Sequence, residues 1–222
     1  MVLVLASNSP RRRQLLALTG WNFDISPAEV DERPLPGELL PAYVLRLAES
    51  KSRAAGALVP AEAVIIAADT TVAATNADGG VDILGKPADA ADAEGMLRRL
   101  RGHTHQVYTA LAVLHPVQSV LLLDWCATQV PMREYSDVEI SAYVASGNPL
   151  DKAGAYAIQH AGFHPVESLT GCYANVVGLP LCHLTRTLGK LGITPLNDVP
   201  HTCQAALEYQ CPIYRQVLDF DI

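Results

Sequence analysis

Val2-Leu3-Val4-Leu5-Ala6-Ser7-Asn8-Ser9-Pro10-Arg11-Arg12-Arg13-Gln14-Leu15-Leu16 is the stretch that decides the fold class of this chain. Residues 2–6 form an apolar β-type run, the Ser/Asn cluster stops it, and Pro10 opens a helical pattern that Gly20 ends. Ser9 as N-cap with proline at the first helical position is a strong start signal. The free N–H groups of that helix start stand at the end of a buried strand, where they and the helix dipole attract anions. Three arginines in the first turn oppose the dipole. They make sense if a polyanion such as a phosphate chain docks there; the alternative is a capped helix with solvated arginines.

Working outward, strand-like and helix-like stretches alternate, which reads as an α/β fold. Trp21 to Ser26 is a short strand, and Pro27 to Pro41 is an acidic loop carrying Glu29, Asp31, Glu32 and Glu38. A helix is expected from about Pro41 to Leu58, with Leu40, Val44, Leu47 and Leu58 on one face. Val64-Ile65-Ile66-Ala67-Ala68 is a continuous apolar strand, as expected for one buried on both faces, and runs into Asp69-Thr70-Thr71. Asn76 to Gly80 and Leu84-Gly85-Lys86-Pro87 are turns, and Ala90 to Leu100 is a helix. Gln106 to Leu114 and Ser119 to Val130 form a hairpin around Pro116, Asp137 to Ser146 a helix, and Leu181 to Leu191 the last conventional helix. From Pro195 to Ile222 no clear periodicity is present except around Ala205 to Tyr209, so this part reads as an extension lying on the body. There is no internal repeat, and no linker marks a domain boundary.

The totals bound the partners. A chain of 222 residues, 50% hydrophobic and 18% charged, is long enough for one ordinary domain or two small lobes. A formal charge of −7 argues against general nucleic-acid binding. No apolar run reaches the ~18 residues of a membrane helix, and no signal-peptide pattern is evident. Cys126, Cys172, Cys182, Cys203 and Cys211 are odd in number and lack a Cys-x-x-Cys pair, which points to free thiols in a reducing cytoplasm.

Several residues stand where chemistry is done. Asp69 follows five apolar residues, so it is expected at the carboxyl end of a buried strand, where α/β folds bind ligands. There it is a general base, a metal ligand or a capped structural carboxylate. Lys51 continues the Val44, Leu47 stripe, so it either points inward to a carboxylate or phosphate or snorkels to water. Lys86 in its tight loop and Lys152 beside Gly154 could each set a point charge on a phosphate, and Glu32 lies in the acidic loop. His103 and His105 read as structural. The Walker motif, a Gly-x-Gly-x-x-Gly after a strand and a Gly-x-Ser-x-Gly elbow are absent, which removes P-loop NTPase, dehydrogenase and serine-hydrolase readings.

Taken together, the segments resemble the Maf family of nucleoside triphosphate pyrophosphatases. Leu5-Ala6-Ser7-Asn8-Ser9-Pro10-Arg11-Arg12, Val30-Asp31-Glu32, Ala67-Ala68-Asp69-Thr70, Leu84-Gly85-Lys86-Pro87, Asp151 to Gln159 and Val177-Gly178-Leu179-Pro180 are similar to its motifs, in order, from about residue 2 to residue 191. Gly162-Phe163-His164-Pro165-Val166-Glu167 is less typical. The resemblance implies a mixed, largely parallel twisted sheet with flanking helices in two lobes around a central cleft. It gives residues 1–194 as the family domain, leaves 195–222 as an extension without an assigned role, and points to a homodimer.

The resemblance also implies hydrolysis of a nucleoside triphosphate between its α and β phosphates, with Mg²⁺ or Mn²⁺, and makes Asp69 the proton acceptor for water. Arg11, Thr70 and Gln159 occupy the positions that sort substrates, and Arg, Thr and Gln there resemble the branch acting on dTTP and UTP. The 7-methyl-GTP branch typically has an aromatic residue, a Gln and a Glu instead. On this view Ser7, Arg12, Lys51, Lys86 and Lys152 bind the triphosphate, and Glu32 and Asp69 share the metal. Two other classes remain: a non-catalytic nucleotide-binding regulator of cell division, and a hydrolase of small phosphates, which would leave Gln159 and Thr70 unexplained.

Overall fold

The computed structural model describes residues 2–76 and 78–219. The elements in order are β1 (Leu3–Leu5), α1 (Pro10–Ala17), β2 (Phe23–Ile25), α2 (Leu40–Gly56), β3 (Val64–Thr75), β4 (Val81–Leu84), α3 (Ala90–Leu100), β5 (Thr104–His115), β6 (Val120–Pro131), α4 (Asp137–Ala145), α5 (Tyr173–Val177), α6 (Leu181–Gly189), α7 (Val199–Leu207) and α8 (Tyr214–Leu218). The sheet order is β2-β1-β3-β5-β6, with β4 paired to β3. Two compact units result, one from Met1–Asp69, Thr109–Cys126 and Cys172–Ile222, the other from Thr70–Tyr108 and Ala127–Gly171.

In the first unit β1 is parallel to both neighbours, with Leu3 opposite Phe23 on one side and Val64 on the other. All three β1 residues are buried, as are Val64 to Ala68 of β3, so these central parallel strands read as unbroken apolar runs. Ser9 caps α1 by accepting from the Arg12 N–H at 3.4 Å, and Pro10 opens the helix, as the start signal demanded. Leu16 beneath α1 and Leu47 on α2 join Leu5, Ile65 and Ile66 in one core.

The sheet is mixed, as expected: β1 is parallel to β2 and β3, while β4 runs antiparallel to β3 and the four-residue connection 116–119 between neighbours β5 and β6 permits only an antiparallel pair. Three expectations change. Asp69 does not end its strand. Val72, Ala73 and Ala74 prolong the apolar run and pair with Leu84, Ile83 and Asp82, so β3 continues to Thr75. Asp69 instead stands three residues past Ile66, the last partner of β1, where the parallel pairing has ended. Leu58 lies beyond the end of α2 and is exposed, so it is not part of the apolar stripe.

The third change is the extension, which is helical. Asp198 accepts from the His201 N–H at 3.1 Å and Pro200 occupies the first turn, a local start signal for α7. It is anchored on the first unit: the Thr19 carbonyl accepts from the N–H groups of Leu196 and Asn197, and Arg186 of α6 donates to the Val217 carbonyl.

The second unit is built on α3 and α4, whose Leu97, Leu100 and Ile140 are fully buried. Ser136 and Glu139 form a capping box on α4, and the Tyr135 hydroxyl donates to the Leu97 carbonyl at 2.8 Å. Two 3₁₀ turns, Asn148–Asp151 and Ala153–Ala155, follow α4. Gly154 within the second turn has φ +69°, and its N–H donates to the Gly85 carbonyl at 3.0 Å, tying the Lys152 turn to the Lys86 turn. No described helix is long and apolar enough to cross a membrane.

Candidate active site

The first unit gathers Ser7, Arg12, Glu32, Lys51 and Asp69. Lys51 projects from the face of α2 that carries Tyr43 and Leu47, eight and four residues earlier and therefore on one side of the helix. Its side chain is only 13% exposed, and its Nζ lies 2.6 Å from Asp69 Oδ1 and 2.6 Å from Glu32 Oε1. Lys51 is thus the inward-pointing lysine of the apolar stripe, and its partners are carboxylates. Glu32, which sequence alone leaves in a solvated loop, is drawn in by that ammonium.

Arg12 sits beside this cluster. Its Nη1 donates to the Ala68 carbonyl at 2.7 Å and to Ser7 Oγ at 3.4 Å, and its Nε donates to the Gly178 carbonyl at 2.9 Å. Burial pushes its pKa down, and the nearby Asp69 charge pushes it back up. Two of the guanidinium N–H donors are therefore spent on the protein's own carbonyls, in addition to the expected place near a triphosphate. Ser7 is buried, and its Oγ accepts from the Ser9 N–H at 3.2 Å, so it shapes the loop that opens α1. Arg11 is partly exposed in the first turn of α1.

The two carboxylates of Glu32 and Asp69 converge on one point charge, which is what a shared cation requires. Among the described residues no third His, Cys, Asp or Glu joins them. That donor set fits Mg²⁺ or Mn²⁺ held by two carboxylates, waters and substrate phosphate oxygens, since Mg²⁺ is usually bound in this way rather than by an all-protein cage.

In the second unit Thr70 is partly buried in β3, directly after Asp69. Lys86 is exposed in the turn after β4, free to reach an anion. Lys152 is different: it is buried, and its Nζ donates to the Asn148 carbonyl and pairs with Asp151 inside its own turn. Gln159 is exposed on the segment that follows Tyr156. That segment is fixed by Tyr143, whose hydroxyl accepts from the Ala157 N–H at 2.9 Å and donates to Asn148 Oδ1 at 3.0 Å.

Sequence reading missed the Gly178 and Ala68 carbonyls as Arg12 partners, and it missed Tyr43 and Arg46 as partners of the acidic loop that carries Glu32 and Glu38. The signal available for Tyr43 was its helical spacing to Lys51; backbone carbonyls leave none.

A model of the family described as Maf-like protein matches residues 2–191, and the chain belongs to that family. Among curated relatives, the dTTP/UTP pyrophosphatase of Geobacter sp. (strain M21) is 46% identical over 193 residues, covering 86% of this chain and 97% of the relative. The protein of the same name from Anaeromyxobacter dehalogenans (strain 2CP-1 / ATCC BAA-258) is 48% identical over 192 residues, covering 86% of this chain and 94% of the relative. Among solved structures, the Staphylococcus aureus Ham1 protein aligns over 94% of this chain and 98% of that one at 15% identity, with a TM-score of 0.47.

Proposed function

We propose that this protein is a nucleoside triphosphate pyrophosphatase that hydrolyses dTTP and UTP to the monophosphate and pyrophosphate. The observation that carries the chemistry is the single ammonium of Lys51 held between Asp69 and Glu32, with the Arg12 guanidinium alongside. Two cations there balance two carboxylates, so an approaching polyphosphate meets no net negative charge. The choice of dTTP and UTP rests on the relatives of that name and on Arg11, Thr70 and Gln159.

In this mechanism Asp69 orients a water against the α phosphorus and accepts its proton as the bond to the bridging oxygen breaks. Positioned proton transfer of this kind contributes typically ~10²–10⁴-fold. Glu32 and Asp69 would hold Mg²⁺ or Mn²⁺, which would supply charge to neutralise phosphate oxygens. Lys51 and Lys86 place positive charge where the leaving pyrophosphate gains negative charge. Gln159 offers an amide donor and a carbonyl acceptor, the complement of a uracil or thymine edge. A 5-methyl group discriminates by only ~1–3 kcal/mol, so one pocket serves both bases. Lys152, engaged in its own turn, supports that loop and adds charge to it. The five cysteines, none of them in a disulfide, support a reducing cytoplasm as its location.

Pyrophosphate release from a panel of triphosphates, with and without Mg²⁺ or Mn²⁺, tests the reading. Metal-dependent release of pyrophosphate with UMP and dTMP is expected. Release of orthophosphate alone, or no turnover of any triphosphate, overturns it. A Gln159→Glu variant is expected to lose UTP and dTTP selectivity, and unchanged kcat/KM ratios across the panel would remove Gln159 from base recognition.

A further inference from the structure

The acidic loop that carries Glu32 is fastened to α2 by a set of contacts separate from the Lys51 pair. Arg46 donates from Nε to Glu38 Oε1 at 2.6 Å and from Nη2 to Glu38 Oε2 at 2.8 Å, a two-pronged pairing. The same Nη2 donates to the Arg33 carbonyl at 3.1 Å. Glu38 Oε2 also accepts from the Leu35 N–H at 3.1 Å, which closes the loop on itself. One turn earlier on α2, the buried Tyr43 donates its hydroxyl to the Glu32 carbonyl at 2.8 Å, and the Arg46 guanidinium lies 5.6 Å from the Tyr43 ring centroid.

These contacts share one consequence. Tyr43 and Lys51 are eight residues apart on α2, ~12 Å along the axis at 1.5 Å per residue. Glu32 is gripped at both ends of that span: its carbonyl by Tyr43, its carboxylate by Lys51. Arg46 holds the rest of the loop, at Arg33 and Glu38, to the same helix. Glu32 is more than half exposed, so the backbone has little core packing of its own to fix it. The Arg46 hydrogen bonds hold the Glu38 carboxyl down to about 2, so this pair stays charged at any pH at which the protein works.

We propose that Arg46, acting through Glu38 and the Arg33 carbonyl together with Tyr43, is a positioning residue that latches the 31–38 loop so that the Glu32 carboxylate stays at Lys51 and Asp69. The inference rests on the proposed role of Glu32 in metal binding. Arg46 touches none of the reacting groups; it sets where Glu32 stands. Outer partners that orient a metal-binding carboxylate typically cost ~10–100-fold in metal affinity or activity when removed.

The test uses full-length wild type, Arg46→Ala, Arg46→Lys, Glu38→Gln, Glu32→Gln and the Glu32→Gln/Arg46→Ala double variant. Amide hydrogen exchange of residues 31–38, without nucleotide or metal, is expected to speed up at least about tenfold in Arg46→Ala. Exchange in β1 and β3 should be unchanged. Steady-state kinetics with UTP should show kcat/KM falling ~10–100-fold in Arg46→Ala and less in Arg46→Lys, which keeps the charge on Glu38 but loses the fork. The double variant should be no slower than Glu32→Gln alone, since the latch acts only through that carboxylate. Unchanged exchange at 31–38, or a double variant slower than Glu32→Gln by the whole Arg46→Ala factor, overturns the latch. A wild type that releases no pyrophosphate overturns the functional reading, while the exchange measurement still decides the latch.

Discussion

Arg12 Nη1 donates to the carbonyl of Ala68 at 2.7 Å, the residue directly before Asp69, while Arg12 Nε reaches Gly178 at 2.9 Å. One guanidinium thus fixes the β3 backbone next to the Asp69 carboxylate and joins it to the turn that follows α5. Only a planar fork with several N–H donors spans two such carbonyls at once.

Arg12→Lys is therefore not a conservative change. The ammonium cannot serve Ala68 and Gly178 together, and a part-buried carbonyl loses its donor. The expected loss is ~1–3 kcal/mol in unfolding free energy, read from the urea midpoint, with kcat falling more than KM rises. A variant as stable and as active as wild type would show that the two carbonyl contacts do not matter.

How far the sequence revealed these arrangements depends on distance along the chain. Ser9 and Pro10 announced α1 because a cap and a proline act within one turn. Lys51 was legible as a lysine on an apolar stripe because a helix repeats every few residues, but whether it turned inward or reached water, and which groups it met, were open. Glu32 and Asp69 reach it from 19 residues before and 18 residues after, and only tertiary packing settles that. Arg12 and Gly178 are 166 residues apart, beyond any periodicity. The end of β3 was misjudged for the opposite reason: a polar Asp-Thr-Thr break looked like a strand end, and pairing with β4 carried the strand through it. In the extension, Asp198 and Pro200 did signal α7, but the mixed apolar and polar sequence of Val199–Leu207 hides a helical stripe.

The Lys51 ammonium stands 2.6 Å from each of two carboxylates, so its removal leaves the Arg12 guanidinium alone to offset the two charges of Asp69 and Glu32. Lys51→Met should raise the KM for UTP, because the net negative charge left there repels the triphosphate. Asp69→Asn should behave differently, with kcat falling ~10²–10⁴-fold and nucleotide binding still detectable by calorimetry. Equal turnover in Asp69→Asn would remove this carboxylate from the chemistry.

Gly154 and Gly147 provide a matched pair of substitutions. Both have positive φ, +69° and +70°, but a Cβ at Gly154 would meet Val72 Cγ2 at 3.0 Å, whereas nothing lies within 4 Å of one at Gly147. Gly147→Ala should cost only backbone strain, ~1 kcal/mol. Gly154→Ala adds the clash and loosens the Gly85–Gly154 hydrogen bond, so its loss should reach ~2–3 kcal/mol in urea unfolding. Lys86 and Lys152 share that tie, so the KM for UTP should rise in Gly154→Ala alone. Equal effects on both readouts would contradict the Val72 contact.

His105 gives stability a dependence on acid. It is only 3% exposed, its Nε2 lies 2.8 Å from the Tyr156 hydroxyl, and burial holds its pKa down to about 4 against an ordinary 6.5. The folded protein keeps a neutral imidazole, while the unfolded chain takes up a proton below 6.5, so acid favours unfolding. The contribution is therefore full above pH 6.5 and is lost as the pH falls toward 4, by up to about 3 kcal/mol. His105→Gln retains a hydrogen-bonding group for Tyr156 but cannot titrate. Urea midpoints measured from pH 4 to pH 8 should drop steeply for wild type and more gently for the variant across that window. Parallel curves for the two proteins would mean that His105 is not the group responsible.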